Sequence, residues 1–283
     1  MSEKRETILL LVQDKTGKIT DVKVFQEGRP EKPETPEEPE TPEKPLTVIE
    51  LKPDTTETYL RDLTEGSVVD WGDGTKSVVT AAEEKESFVT HTYADTSSAN
   101  RVVTIDGVID RIGDPVASAF DIASLVAVRS LGELRGEAAR LFLQCSSLTA
   151  IPAGLFDHCT AVTSFRACFE DCNSLRTIPE GLFDHCTAVM DFEACFENCI
   201  GLTAIPEELF DHCTEVKDFN LCFSFCRGLR GSTPYTVVEG KKIRLWERSP
   251  ENGFAKPDSS GVTYCFQGCS GLSDFAEIPN NWK

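Results

Sequence analysis

Sulfur-bearing and aromatic residues other than phenylalanine are scarce or confined in this chain of 283 residues. It holds 2 Met, 3 Trp and 4 Tyr, and no cysteine precedes Cys145. No apolar run approaches the roughly 18 residues of a membrane span, so no membrane insertion is expected. The run Ile8 to Val12 is cut off by Gln13-Asp14, short of the ~7–15 residue core of a secretory signal. We therefore expect no export signal: the sequence is a trimmed mature form, or it reaches its site by another route. Positive charge is short too, with 28 Lys+Arg against 47 Asp+Glu and a net charge of −19, which argues against nucleic acid and anionic membrane as partners. A phosphate-cradling glycine loop, a nucleophile elbow and a His-Glu-x-x-His pair are all missing. No enzyme and no cofactor is expected.

What is present is one short phrase written repeatedly. Phe-x-x-Cys-x-x-(Leu/Val)-x-x-(Ile/Phe) starts at Phe142, Phe156, Phe169, Phe183, Phe196 and Phe210, again with a broken last position at Phe223, and whole at Phe266. The starts up to Phe223 alternate 14 and 13 residues apart, a true period of 27. Ile151-Pro152, Ile178-Pro179 and Ile205-Pro206 keep that period, as do the Asp-His-Cys triplets ending at Cys159, Cys186 and Cys213. A period in the twenties predicts a solenoid, in which no unit buries its apolar face alone and stacked coils make one continuous core. Phe-x-x-Cys sets two apolar side chains three apart, which predicts one helical turn facing inward. Leu175-x-x-Ile178 and Val189-x-x-Phe192 are too short for helices and predict brief extended segments.

The stretch "LTAIPAGLFDHCTAVTSFRACFEDC" resembles the BspA-like leucine-rich repeats of bacterial surface and phage-associated proteins, over about residues 120–283. That resemblance implies a binding or adhesion scaffold without naming a ligand. All twelve cysteines lie between Cys145 and Cys269, inside the repeat. A disulfide framework scatters pairs to staple loops, whereas these occupy one recurring slot, so the expected state is a ladder of buried, reduced thiols. The competing reading is metal ligation by Cys168/Cys172, Cys195/Cys199 or Cys222/Cys226 with His158, His185 or His212 nearby; Cys-x-x-x-Cys alone is a weak zinc signal, and no metal is expected. The Asp157/Asp184/Asp211 and His158/His185/His212 columns repeat identically, whereas an active site needs one asymmetric constellation.

Ahead of the repeat, residues 1–28 read as a β-hairpin whose strands flank Asp14-Lys15-Thr16-Gly17. Its first strand is apolar on both faces, and a lone hairpin is marginal in water, so self-association or a docking partner is expected there. Residues 29–46 carry proline at every third position from Pro30 to Pro45, which predicts a polyproline-type linker rising ~3.1 Å per residue, roughly 50 Å in all. Residues 47–112 show short alternating segments with turns between them. Val69-Asp70-Trp71-Gly72-Asp73-Gly74-Thr75 followed by His91-Thr92-Tyr93 resembles the PKD-type immunoglobulin-like domain, which implies a spacer with Trp71 and Tyr93 in its core. Asp73-Gly74 is expected as a turn whose carboxylate caps local amides, with calcium at Asp70 and Asp73 as the competing reading. Residues 113–283 form the repeat domain, beginning with a degraded phrase at Phe120 as a cap and interrupted by an insertion over 231–263.

Two groups of residues are candidates for ligand contact. The insertion is expected to carry a second hairpin, Tyr235–Val238 and Ile243–Trp246, with exposed Tyr235 and Trp246 beside Lys241, Lys242 and Arg244. The other group is positional: Thr163, Met190 and Lys217 share one slot of the repeat and nothing else, as do Ser164, Asp191 and Asp218, and Arg166, Glu193 and Asn220. Variable residues on a constant frame make Arg166, Met190 and Lys217 candidates. The expected architecture is mostly β with short helical turns, an immunoglobulin-like β-sandwich followed by a leucine-rich-repeat solenoid of 27-residue coils. The expected role is non-enzymatic display of a tip to a bacterial surface protein or glycan. It is set on a phage or phage-tail-like particle, or alternatively on a bacterial cell surface as an adhesin whose export signal has been removed.

Overall fold

A computed structural model describes residues 7–13, 19–26, 45–86, 88–95, 97–111, 118–121, 123–257 and 263–283. The chain divides into two compact units, Met1–Glu43 and Lys44–Lys283. In the first, β1 (Thr7–Gln13) and β2 (Ile19–Gln26) pair antiparallel, Ile8 opposite Phe25 and Leu11 opposite Val22. The turn expected at Asp14–Gly17 lies outside the described residues, as does the proline-rich tract up to residue 44.

The second unit begins with β3 (Thr47–Leu51), β4 (Glu57–Arg61), β5 (Val68–Asp70), β6 (Lys76–Val78), α1 (Ala81–Glu86), β7 (Phe88–Thr92), β8 (Arg101–Asp106) and β9 (Val108–Arg111). It continues with β10 (Leu125–Ser130), β11 (Glu133–Gly136), β12 (Tyr235–Val238) and β13 (Lys241–Arg244). The chain is mostly β and mostly antiparallel, and α1 is the one α-helix among the described residues. A five-stranded antiparallel sheet runs in the order β10-β3-β8-β5-β6, with β4-β7 as a separate antiparallel pair and β9-β11 as a parallel one. Alternation along β3 and β8 buries Ile49, Leu51, Val103 and Ile105, the period-2 pattern of a strand with one face in the core.

Trp71 is buried, its Nε1 donating to Ser77 Oγ at 2.8 Å, and Tyr93 Oη donates to the Trp71 carbonyl at 3.1 Å. His91 stacks on the indole at 4.7 Å and meets Asp73 Oδ2 at 2.9 Å. The Asp73 carboxylate accepts from the Thr75 amide and hydroxyl at 2.9 and 2.6 Å; those bonds, with His91, hold its pKa down to about 2. Asp70 likewise accepts from Gly72 N and pairs with Lys76 at 3.0 Å. Both carboxylates considered for calcium thus hold local donors as turn caps. Gly72 has φ +76°, and a Cβ there would overlap the Val102 carbonyl oxygen, so only glycine fits this turn.

Two features of this half were not legible in the sequence. β4 escapes the alternating pattern because its inward residues are Thr58 and Leu60, and a threonine does not announce a core face. β10 comes from the segment after residue 112 and pairs with β3, Val128 opposite Ile49, covering an edge that would otherwise present unpaired amides. The sheet therefore draws on residues from both sides of the boundary expected at 112.

From Ala138 to Cys226 the backbone hydrogen-bonding pattern repeats every 27 residues. Phe142, Phe169 and Phe196 donate their amides to the carbonyls of Cys168, Cys195 and Cys222, each at 2.8 Å, and Phe223 to Cys265 at 2.9 Å. A second line runs along the opposite edge, Arg176 to Thr149, Thr203 to Arg176 and Arg230 to Thr203. Each Phe-x-x-Cys closes a tight turn, as Cys172 N to Phe169 O at 3.1 Å. Rings pile on their own copies: Phe120, Phe142, Phe169, Phe196, Phe223 and Phe266 stack with centroids 5.2 to 5.8 Å apart. Phe120, from the degraded phrase, heads that column.

All twelve cysteines are buried. They fill three recurring slots, typified by Cys168, Cys172 and Cys159. The Sγ–H of Cys172, Cys199, Cys226 and Cys269 donates to a phenylalanine carbonyl of the preceding unit at 3.0 to 3.2 Å. Burial pushes the Cys145, Cys159, Cys213 and Cys269 thiols up to about 12. Among the described residues these thiols and the exposed imidazoles of His158, His185 and His212 do not converge on a common point. Folded protein should therefore react slowly with a thiol reagent, and denatured protein should titrate close to the full set of twelve. Recovery of several disulfides would replace the thiol ladder with a cross-linked stack.

Candidate functional site

The insertion folds as a hairpin, but in a different register from the one its sequence suggests. β12 and β13 pair Val238 with Lys241 across a two-residue turn, Glu239-Gly240, with φ of 50° and 78°. Two consecutive residues at positive φ are what the tightest hairpin turn requires, and this pulls Lys241 and Lys242 into the second strand. Leu245 and Trp246, expected as strand, belong instead to a short 3-10 turn over Leu245–Glu247.

Tyr235 corrects an expectation. It is buried rather than exposed, at 7 % of its accessible surface. Its hydroxyl donates to Glu207, its amide donates to Glu207 O at 2.8 Å, and its ring is covered by Lys242 Nζ at 3.8 Å and the Arg244 guanidinium at 5.2 Å. Tyr235 thus anchors the hairpin to the stack. Arg244 is also committed, to Asp274 at 3.1 Å and to the Thr233 carbonyl at 2.7 Å. Lys241 and Lys242 remain exposed. Trp246 is half-buried, with its ring centroid 6.4 Å from that of Phe266 and 6.2 Å from that of Trp282.

The three variable columns form a short parallel ladder. Met190 N donates to Thr163 O at 2.8 Å and Lys217 N to Met190 O at 2.9 Å, with bridges from Ser164 to Asp191 and Asp191 to Asp218. Arg166, Met190 and Lys217 are exposed. Arg166 pairs with Glu193 at 3.3 Å. Asp191, Glu193 and Asp218 each bring one carboxylate oxygen within 4.8 Å of the others. The structure therefore lines up Thr163, Met190 and Lys217 along the ladder with Arg166 in the column of Glu193, and keeps Tyr235, Lys242 and Arg244 together on the edge bearing Glu207 and Asp211.

Side chains outside both groups border a cleft of about 210 Å³ beneath Trp246, among them Arg248, Lys256, Asn281 and Trp282. The sequence carried one signal for it: Trp246 and Trp282 are two of only three tryptophans. Their 36-residue separation does not match the repeat, so only the folded chain brings them together.

A second cleft, about 350 Å³, is bordered by Glu170, Asp171 and Glu197. Burial first, then the neighbouring Glu170, Asp171 and Glu193 charges, raises Glu197 to about 7 from an ordinary 4.5. Between those values the folded chain holds a proton that the unfolded chain has lost, so stability falls as pH rises. The loss should come to about 1–2 kcal/mol after screening of a half-exposed group. Glu197→Gln should flatten that slope and be the more stable form at pH 8; an unchanged slope would assign it to other carboxylates.

Comparison with family models, with curated proteins and with solved structures finds no match for this chain.

Proposed function

We propose that the chain is a non-enzymatic display and recognition protein. In this reading residues 1–28 are a docking or self-associating hairpin and 29–46 a stalk. Residues 47–112 are an immunoglobulin-like spacer of the PKD type, and 113–283 a BspA-like leucine-rich-repeat solenoid that carries the binding tip. The setting is an appendage on a phage or phage-tail-like particle, and the partner is a protein or glycan on a bacterial surface. The observation that carries the reading is a constant buried frame of phenylalanine and cysteine bearing exposed, non-repeating Arg166, Met190 and Lys217. Such a frame supports recognition without supplying the asymmetric chemistry of an active site.

Labelled full-length chain and a chain beginning at Leu46 should both bind intact cells of a responsive bacterium. Only the full-length form should show a multimeric mass by light scattering, because burying one large apolar side chain is worth about 1.5–3 kcal/mol and the hairpin strand has five in a row. Substituting Arg166, Met190 and Lys217 together by alanine, or Lys241 with Lys242, should weaken cell binding. Binding by neither chain to any cell in a broad panel would end the recognition reading, and equal monomeric masses would remove the anchor.

A further inference from the structure

The cleft beside Trp246 differs from the rest of the surface in charge and in lining. The chain carries −19 overall, yet among the described residues that line the cleft Arg248 and Lys256 are cationic and none is a carboxylate. One wall is aromatic: Trp246 and Trp282 stand at 62° with centroids 6.2 Å apart. Trp282 is buried and rests on Phe219 at 6.3 Å, so its ring is fixed, while Trp246 stays half-open to the cleft. The rest of the lining is mixed, with Pro257 and Pro279 beside Lys256, Thr263 and Asn281. Lys256 and Asn281 are exposed along it. The Asn281 backbone is pinned, its carbonyl accepting from Tyr264 N at 3.0 Å and Thr263 Oγ1 at 2.6 Å.

Arg248 also borders this cleft and is 2 % exposed. Its Nη1 donates to Cys213 O at 2.9 Å and its Nη2 to Phe210 O at 2.7 Å, with the guanidinium 4.2 Å from the Phe254 ring centroid. Its Nε–H has no acceptor among the described residues. The two carbonyl bonds fix the buried guanidinium in place, where it sets a positive charge at the floor of the cleft. At about 210 Å³ the cleft is smaller than the ~300–1,000 Å³ of sites for drug-sized molecules, which limits it to a single ring with its substituents.

We propose that this cleft holds one acidic pyranose of a surface glycan, a uronic or sialic acid residue, with its ring against Trp246, its carboxylate at Lys256 and its hydroxyls toward Asn281. The assignment rests on the recognition reading above and narrows its ligand to an anionic sugar. An indole offers a flat apolar wall to the C–H face of a pyranose, and an ammonium with an amide offers the donors that a carboxylate and hydroxyls require. A neutral hexose would leave Lys256 unmatched.

The test is a titration of the full chain with glucuronic acid, N-acetylneuraminic acid, glucose and adenosine monophosphate, followed by indole fluorescence. One of the acidic sugars should give a saturable change, with glucose about tenfold weaker, the scale of one charge-assisted hydrogen bond. Lys256→Ala should weaken the acidic sugar about tenfold toward the glucose value, Asn281→Ala should weaken both sugars, and Trp246→Ala should abolish the response. Lys256 and Asn281 lie on the surface, so these two variants decide the matter even if Trp246→Ala fails to fold. Equal response to glucose, tighter response to the nucleotide, or an unchanged Lys256→Ala would overturn the assignment. A silent titration from a protein that still binds cells would remove the sugar site and leave the recognition reading standing, whereas loss of cell binding by the unaltered chain would count against that reading itself.

Discussion

Truncating Phe183 to alanine should lower the unfolding free energy by about 3–5 kcal/mol, the usual cost of emptying a buried phenylalanine site. The ring is 1 % exposed and stands in the middle of its column, stacked on Phe156 and Phe210 with centroids 6.0 Å away on either side. It also packs at 4.8 Å against both Phe165 and Phe192. Its removal therefore opens a cavity bounded by other rings, each held in place by its own hydrogen-bonded turn, and such walls collapse poorly. Phe183→Leu keeps most of the volume and should cost less than about 1.5 kcal/mol. Urea titration would check both, as a shift in midpoint with the slope unchanged. A loss below about 1 kcal/mol for the alanine variant would mean that the column does not hold the stack together.

The second large effect is expected where the sheet-bearing half of the unit meets the stack. Arg111, at the end of β9, is 1 % exposed and reaches Asp62 Oδ2 at 2.5 Å and the Ala139 carbonyl at 2.8 Å. Burial pushes the Asp62 carboxyl up and the Arg111 guanidinium down, and each is restrained chiefly by the other's charge. Neither belongs there alone. Asp62→Asn preserves shape and tolerance of the positive φ of 60° at that position, yet removes the Asp62 charge from a buried guanidinium, which should cost about 3 kcal/mol or more. Adding Arg111→Met should restore much of that loss, because no buried charge is then left uncompensated. The readout is chemical denaturation followed by tryptophan fluorescence, since Trp71 lies in the sheet half and Trp246 and Trp282 lie at the far end of the stack. Wild-type stability in Asp62→Asn would show that the pair does not bind the two halves.

Sequence and structure agree most closely where one residue type answers one physical need at a fixed interval. Phenylalanine and cysteine recur every 27 residues because each turn must bury the same volume against its copy, so their burial is legible without coordinates. The caps at Asp70 and Asp73 are legible for a different reason, each carboxylate accepting from an amide two residues on. Other features depend on partners distant in the chain. β10 is an unremarkable alternating segment until the open edge of β3 gives it a place. Tyr235 reads as an exposed aromatic until Glu207, Lys242 and Arg244 close over it. The hairpin register is set by two residues with positive φ at Glu239-Gly240, which the sequence shows only as a glycine in a charged turn. The cleft is the extreme case: Trp246, Arg248, Lys256, Asn281 and Trp282 obey no common period, and only the return of the chain's last turn onto Phe266 brings them together. Local periodicity determined which side chains are buried, while the asymmetric surface came from contacts between segments whose separation in sequence bears no relation to the repeat.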